Sequence, residues 1–298
     1  VSNGGGVCEG TLVNSIVYDN TAEVSNNVDS VVATYTCASP APEGEGNLEG
    51  PPQFRNPAAQ DFRLAPASPC INAGIQEEGM ATAVDLDGLP RVRSGRVDMG
   101  AYEFAFAGRV HVFLQGPYNT NTHAMSALLT NDLPIASPYA AAPRTRDVPP
   151  DGLTDWVLLQ VLDAGSNTSR FADSVLLRND GLLVDRHGNP DLVIDVPPLT
   201  TNRIQISHRN HLSVMSDPPL VFASTLLEAD MIYGDAPLAG GPSAGVPVEP
   251  GIWALRAGDA DGDGRITAVD RMIVTQQMGK TGYLAGDLNM DGVVNHED

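Results

Sequence analysis

The sequence predicts a mainly β fold in three parts: stacked short strands, then an antiparallel β-sandwich, then a small helical module built to hold metal. Three observations lead there. Aromatics make up only 5% and charged residues 18% of the 298 residues, against 30 Gly and 23 Pro, a turn-rich balance unsuited to a helical bundle. Apolar residues come in short alternating runs broken by Gly, Asn and Pro, and helical periodicity appears only near the carboxy terminus. The final stretch carries two Asp-rich loops with glycine at matching places. A chain of this length has room for two or three domains, and the changes of character fall at 1–104, 105–257 and 258–298.

In the first part, Thr11-Leu-Val-Asn14-Ser-Ile-Val-Tyr18 and Val31-Val-Ala-Thr-Tyr-Thr36 alternate as strands, and Phe54 and Phe62-Arg-Leu64 read as further short rungs between Pro-rich turns. Short strands separated by turns suit a stacked solenoid, in which each rung buries its inner face only against its neighbours. The block Asn56–Gly74, then Asp85-Leu-Asp87-Gly-Leu-Pro-Arg91 and Val97-Asp98-Met-Gly100-Ala-Tyr102-Glu103-Phe104, resembles the carboxy-terminal end of secreted right-handed parallel β-helix proteins, the pectate-lyase-like solenoids of large bacterial surface proteins. The resemblance implies a fold terminus. Asp85/Asp87 and Asp98/Glu103 are the carboxylate pairs that glycoside hydrolysis would need. They lie in Gly/Pro-rich closing turns, where Asp usually bonds its own backbone, so no catalytic residue is assigned.

The second part reads as about seven strands of an Ig-like sandwich. They include Arg109–Gln115, Trp156–Leu162, Ser174–Leu177 with Leu182–Val184, Arg203–Ser207, Val214, Val221-Phe222 and Gly251–Leu255, with hairpin turns at Asn179-Asp-Gly181 and His187-Gly-Asn189. Polar, Pro-rich passages at Asn119–Pro150 and Gly234–Pro250 read as loops, with one helical turn at Met125–Leu129 and a solvated basic pair at Arg144 and Arg146. The layout resembles the sandwich that often follows the solenoid in bacterial surface proteins. His208-Arg-Asn-His211 has metal-like spacing, but it follows an alternating strand and no third ligand stands near in sequence.

The third part carries the chemistry. Asp259-Ala-Asp261-Gly-Asp263-Gly264-Arg265-Ile266 runs to Asp270, and Asp287-Leu-Asn289-Met-Asp291-Gly292-Val293-Val294 runs to Asp298. Each puts Asp or Asn at positions 1, 3 and 5, Gly at 6, an aliphatic residue at 8 and Asp at 12 of a twelve-residue loop. Ca²⁺ takes six to eight oxygens, which alternate side chains and the position-7 carbonyl of Arg265 or Val293 can supply. Four carboxylates crowded into one loop repel one another unless a cation sits among them. Ile266 and Val294 would face each other if the loops pair back to back. Thr267 and Asp270 form a capping-box signature for a helix to about Met278 that Gly279 ends. Its apolar face of Val269, Met272 and Ile273 could pack on the sandwich or on a partner, and for so small a face packing within the chain is the first expectation. This pattern resembles a type I dockerin, a duplicated EF-hand-like loop–helix module, with a longer spacer at Lys280–Gly286.

A formal net charge of −20, with one lysine among 17 basic residues, argues against nucleic acid and anionic membranes as partners. No apolar run approaches the roughly 20 residues needed to span a bilayer. The first residue is Val1 and no signal peptide precedes it, so the chain is expected to begin after processing or inside a longer protein. Cys8, Cys37 and Cys70 allow one bridge and a thiol or three thiols. The combined expectation is a non-enzymatic extracellular, cell-surface structural or adhesive protein. Its Ca²⁺-binding tail would attach to a cohesin-like or surface receptor, or to other copies of itself as a filament or surface-layer subunit. The rival expectation is an accessory region of a polysaccharide-degrading β-helix enzyme with catalytic rungs upstream.

Overall fold

The computed structural model describes residues 5–22, 27–93, 95–146, 151–233, 238–239 and 245–298. It is mainly β and divides into two compact units. The first holds residues 1–105 with 197–199 and 223–225, and the second holds 106–196, 200–222 and 226–298. The loop–helix tail therefore belongs to the same compact unit as the strands before it. Among the described residues no helix is long and apolar enough to cross a membrane.

The first unit contains β1 (Val7–Val13), β2 (Ile16–Val17), β3 (Val28–Thr34), β4 (Cys37–Ala38), β5 (Leu48–Glu49), β6 (Phe54–Asn56) and β7 (Asp61–Leu64). β1 pairs with β3 and β2 with β4, both in parallel, at the same 21-residue step: Cys8 lies opposite Asp29 and Ile16 opposite Cys37. The backbone repeats at that step too. Glu9 (φ 59°) matches Ser30 (φ 54°), and Asn14 (φ 49°) matches Tyr35 (φ 50°). Left-handed backbone at non-Gly residues carries a steric cost, and here it recurs at equivalent places: Glu9 and Ser30 interrupt β1 and β3, and Asn14 and Tyr35 follow them. Parallel pairing continues from β4 to β5, while β6 and β7 form an antiparallel hairpin.

The carboxylates of the first unit hold turns. Asp85 accepts from the amides of Asp87, Leu89 and Glu103, and Asp98 from those of Asn72 and Phe104. Glu103 accepts from the Asp98 amide and pairs with Arg91 at 3.0 Å. Burial and the Asp98 charge push Glu103 up to about 8, against the pull of Arg91. Cys37 and Cys70 are buried, Cys8 is exposed, and all three are free thiols.

The second unit adds β8 (Phe106–His111), β9 (Tyr118–Asn119), β10 (Ala124–Met125), β11 (Leu153–Asp163), β12 (Ser169–Arg178), β13 (Leu183–Val184), β14 (Leu192–Ile194), β15 (Thr201–His208), β16 (His211–Met215), β17 (Leu220–Val221), β18 (Leu226–Asp230), β19 (Gly245–Glu249), β20 (Ile252–Leu255) and α1 (Ala268–Gln277). The large sheet runs β13-β12-β11-β15-β16, with β17 also on β15. A second sheet runs β14-β8-β18. β11 is almost continuously apolar because it is covered along nearly its whole length, with Trp156, Val157, Leu159 and Val161 fully enclosed.

Four expectations need correction. The strands expected to form an antiparallel sandwich are not all antiparallel, since β8 and β18 pair in parallel. Part of the expected loop at Gly234–Pro250 is β19, which pairs antiparallel with β20; residues 234–237 and 240–244 of it lie outside the described set, as do 147–150 of Asn119–Pro150. Met125–Leu129 forms no helical turn; Met125 lies in β10 and is buried. Arg146 is also buried, donating to the carbonyls of Leu133 and Pro134, and Arg144 pairs with Asp173. The Arg146 guanidinium satisfies carbonyls that the loop would otherwise bury without a partner, while Arg144 is exposed as expected.

Candidate metal centre

The two Asp-rich loops share one hydrogen-bond scaffold. In the first, the Gly264 amide donates to Asp259 Oδ2 (3.1 Å), Asp263 N to Asp261 Oδ1, Arg265 N to Asp263 Oδ1, Asp261 N to Asp270 Oδ1 and Thr267 N to Asp270 Oδ2. In the second, the same five bonds recur. Gly292 N donates to Asp287 Oδ2 (3.0 Å), Asp291 N to Asn289 Oδ1, Val293 N to Asp291 Oδ1, Asn289 N to Asp298 Oδ1 and Asn295 N to Asp298 Oδ2. Gly264 (φ 84°) and Gly292 (φ 87°) occupy the left-handed region that position 6 requires. The spacing read from sequence thus corresponds to two loops with the same hydrogen-bond pattern and the same left-handed glycine.

Position 12 of the first loop also starts the helix. Asp270 closes a capping box on Thr267 at the head of α1, and Gly279 (φ 74°) follows the last turn. The backbone donors on Asp270 hold its carboxyl below the usual range despite burial, so it stays ionised.

Carboxylate oxygens of Asp259, Asp261 and Asp263 lie within 4.8 Å of one another. Asp259 is buried, and its Oδ1 has no hydrogen-bond partner. Burial pushes Asp259 up against the Gly264 amide, and the charges of Asp270, Asp263 and Asp261 add to the rise. Asp287, fully enclosed in the second loop, is raised mainly by burial. Such a donor set, all oxygen and acidic, suits a hard divalent cation.

No protein-family model and no curated protein matches this chain. Among solved structures it is similar to a C-terminal interface mutant of a type II cohesin–X–dockerin complex from Acetivibrio cellulolyticus, at 12% identity and a TM-score of 0.30, over 64% of this chain and 89% of that one. A likeness at that score carries no argument about fold or function.

The loops do not pair back to back. The Val294 amide and carbonyl bond Lys280 and Gly279, and Val294 is fully buried while Ile266 is 47% exposed. The apolar face of α1 does not pack inward as expected either, since Val269 and Met272 are about half exposed. What seats the tail is the spacer together with Met290 of the second loop. Tyr283 donates to Asp155 Oδ1 (2.7 Å), Arg209 donates to Asp155 Oδ2 (2.8 Å) and to the Leu284 carbonyl, and Met290 joins the core of Leu129, Leu153, Trp156 and Leu176.

His208 and His211 do converge, with ring centroids 4.8 Å apart and His208 Nε2 3.1 Å from Asp155 Oδ2. Asp155 stands beside His208, but among the described residues the two imidazoles and a third ligand do not bring three ligand atoms together within 4.8 Å. Burial pushes both imidazoles down, His211 furthest. The pair serves a buried polar network beneath the tail. Sequence reasoning missed Asp155, Arg209, Asn210 and Tyr283, whose proximity depends on the tertiary fold.

Proposed function

We propose that the tail binds two calcium ions and serves as the attachment device of a non-enzymatic extracellular protein. The observation that carries this reading is Asp259 Oδ1, buried without a donor beside Asp261 and Asp263. A buried charged oxygen without a partner is costly, and the neighbouring carboxylates repel it. A divalent cation would remove both penalties. Asp259, Asp261, Asp263 and Asp270 with the Arg265 carbonyl would hold the first ion, and Asp287, Asn289, Asp291 and Asp298 with the Val293 carbonyl the second. The ion supplies charge neutralisation. The chain supplies loops whose shape is set in advance by backbone amides, and Asp270 makes the first loop and α1 one rigid piece.

The duplicated loops support the dockerin-like reading, and the parallel 21-residue ladder supports the end of a β-helix. Extracellular modules of this kind work at about 10⁻⁴–10⁻³ M calcium, which is the reason for placing the protein outside the cell. Val269, Met272 and Met278 on and just after α1 are 48%, 51% and 42% exposed, an apolar strip for a receptor or another copy. The engaged carboxylates of the first unit support a role without catalysis. Thermal unfolding and light scattering of the full chain, in millimolar calcium and then in chelator, test both halves. Calcium should raise the melting temperature of the second unit. A change in particle size without a partner would mean self-assembly, and a constant size would mean a separate receptor. Identical melting curves would remove the reading.

A further inference from the structure

Asn210 reaches the first residue of both loops from the sandwich. It sits in the turn between β15 and β16 and is fully buried. Its carbonyl accepts from the amides of Gly258 (3.0 Å) and Asp259 (3.1 Å). Its Nδ2 donates to the carbonyls of Ala285 (3.0 Å) and Asp287 (2.9 Å), and its Oδ1 lies 2.8 Å from His211 Nδ1. Both hydrogen-bonding ends of the side chain are used, and position 1 of each loop is tied to one residue.

We propose that Asn210 is a positioning residue that couples the two ion sites, so that filling one loop raises the affinity of the other. The inference rests on the calcium reading above. The loops lack direct pairing through Ile266 and Val294; α1 leads from Asp270 to Gly279 and Lys280, which bond Val294, and Asn210 is the shared anchor, the residue bonded to position 1 of both loops. That anchor is stiff: the turn bearing it is held by the His208–His211 contact and by His208 and Arg209 on Asp155. An ion in the first loop fixes Asp259 and with it the Asn210 backbone; an ion in the second fixes the Asp287 carbonyl and with it the Asn210 side chain. Ordering either end lowers the cost of ordering the other.

The test is calorimetric calcium titration of the full chain. It compares wild type with Asp261→Asn, which impairs the first loop, and Asp291→Asn, which impairs the second, each with and without Asn210→Ala. With Asn210 present, impairing one loop should weaken the other about fivefold or more, by the same factor in both directions. With Asn210→Ala each loop should still bind, and the factor should fall to less than half of its wild-type value, the remainder being carried through α1 and Val294. Asn210→Ser, which keeps a donor and disturbs packing less, should give an intermediate factor and covers the case in which the alanine variant fails to fold. An unchanged factor in these variants, or no coupling in wild type, overturns the inference and leaves calcium binding standing. A wild type that binds no calcium removes both together.

Discussion

The Arg209 guanidinium lies 4.2 Å from the centroid of the Tyr283 ring, and both side chains donate to the same buried carboxylate, Asp155. Burial alone would push Asp155 up, but Arg209, His208 and Tyr283 hold it well below the usual carboxylate range. One ionised group thus joins a central strand, a hairpin turn and the spacer between the loops. Asp155→Ala should destabilise the second unit by about 3–5 kcal/mol, because it strands the Arg209 charge in the interior. Urea denaturation followed by Trp fluorescence measures this, and a loss under about 1 kcal/mol would mean the network is incidental.

At Gly116 the backbone runs close against Leu288 of the second loop. A Cβ there would sit 1.8 Å from the Leu288 carbonyl oxygen, a backbone atom that cannot swing aside. Gly116→Ala should push the second loop off its seat. The sole lysine, Lys280, lies in the spacer, so cleavage by a lysine-specific protease reports undocking at a single bond. The variant should be cut faster than wild type at equal protease.

The buried imidazoles give the second unit a pH dependence of definite sign. His208 and His211 are held below their ordinary value near 6.5, so they stay neutral in the folded chain while the unfolded chain takes up protons below that pH. Stability should fall as pH drops below about 6.5, by about 1.4 kcal/mol per pH unit for each ring that remains neutral. Urea midpoints in chelator between pH 7.5 and 5.5 measure it, and a flat profile would contradict the burial.

The loops were legible because their chemistry is local. Ligand spacing, the position-6 glycines and the Thr267/Asp270 capping box are set within a dozen residues, and each takes the conformation its pattern implies. The strand Arg203–Ser207 was legible for the same reason, from alternation, and Trp156–Leu162 is a strand as read, though its apolar run is nearly continuous. What seats the tail was not legible. Tyr283 and Asp155 are 128 positions apart, and no periodicity marks either. The parallel partner strand Leu226–Asp230 was missed because its alternation is short and carries a charge at two of three outward positions, Glu228 and Asp230. Arg146 misled because a basic residue in a polar loop reads as solvated until the carbonyls that enclose it are known.

The thiols should separate by burial. One equivalent, Cys8, should react with an aromatic disulfide reagent in the folded chain, and three should react in denaturant. Cys8 should react slowly, because local desolvation and the charges of Asp29 and Glu9 raise its thiol and keep its thiolate scarce. Fewer than three equivalents in denaturant would show that a bridge has formed.

The central claim is that the clustered aspartates hold calcium. Equilibrium dialysis of the chelator-stripped full chain against millimolar calcium, with bound ions counted per chain, tests it most directly. The expected count is two for wild type, reduced by one in Asp259→Asn. A wild-type count near zero, with the Asp259→Asn chain equal to it, would contradict the account.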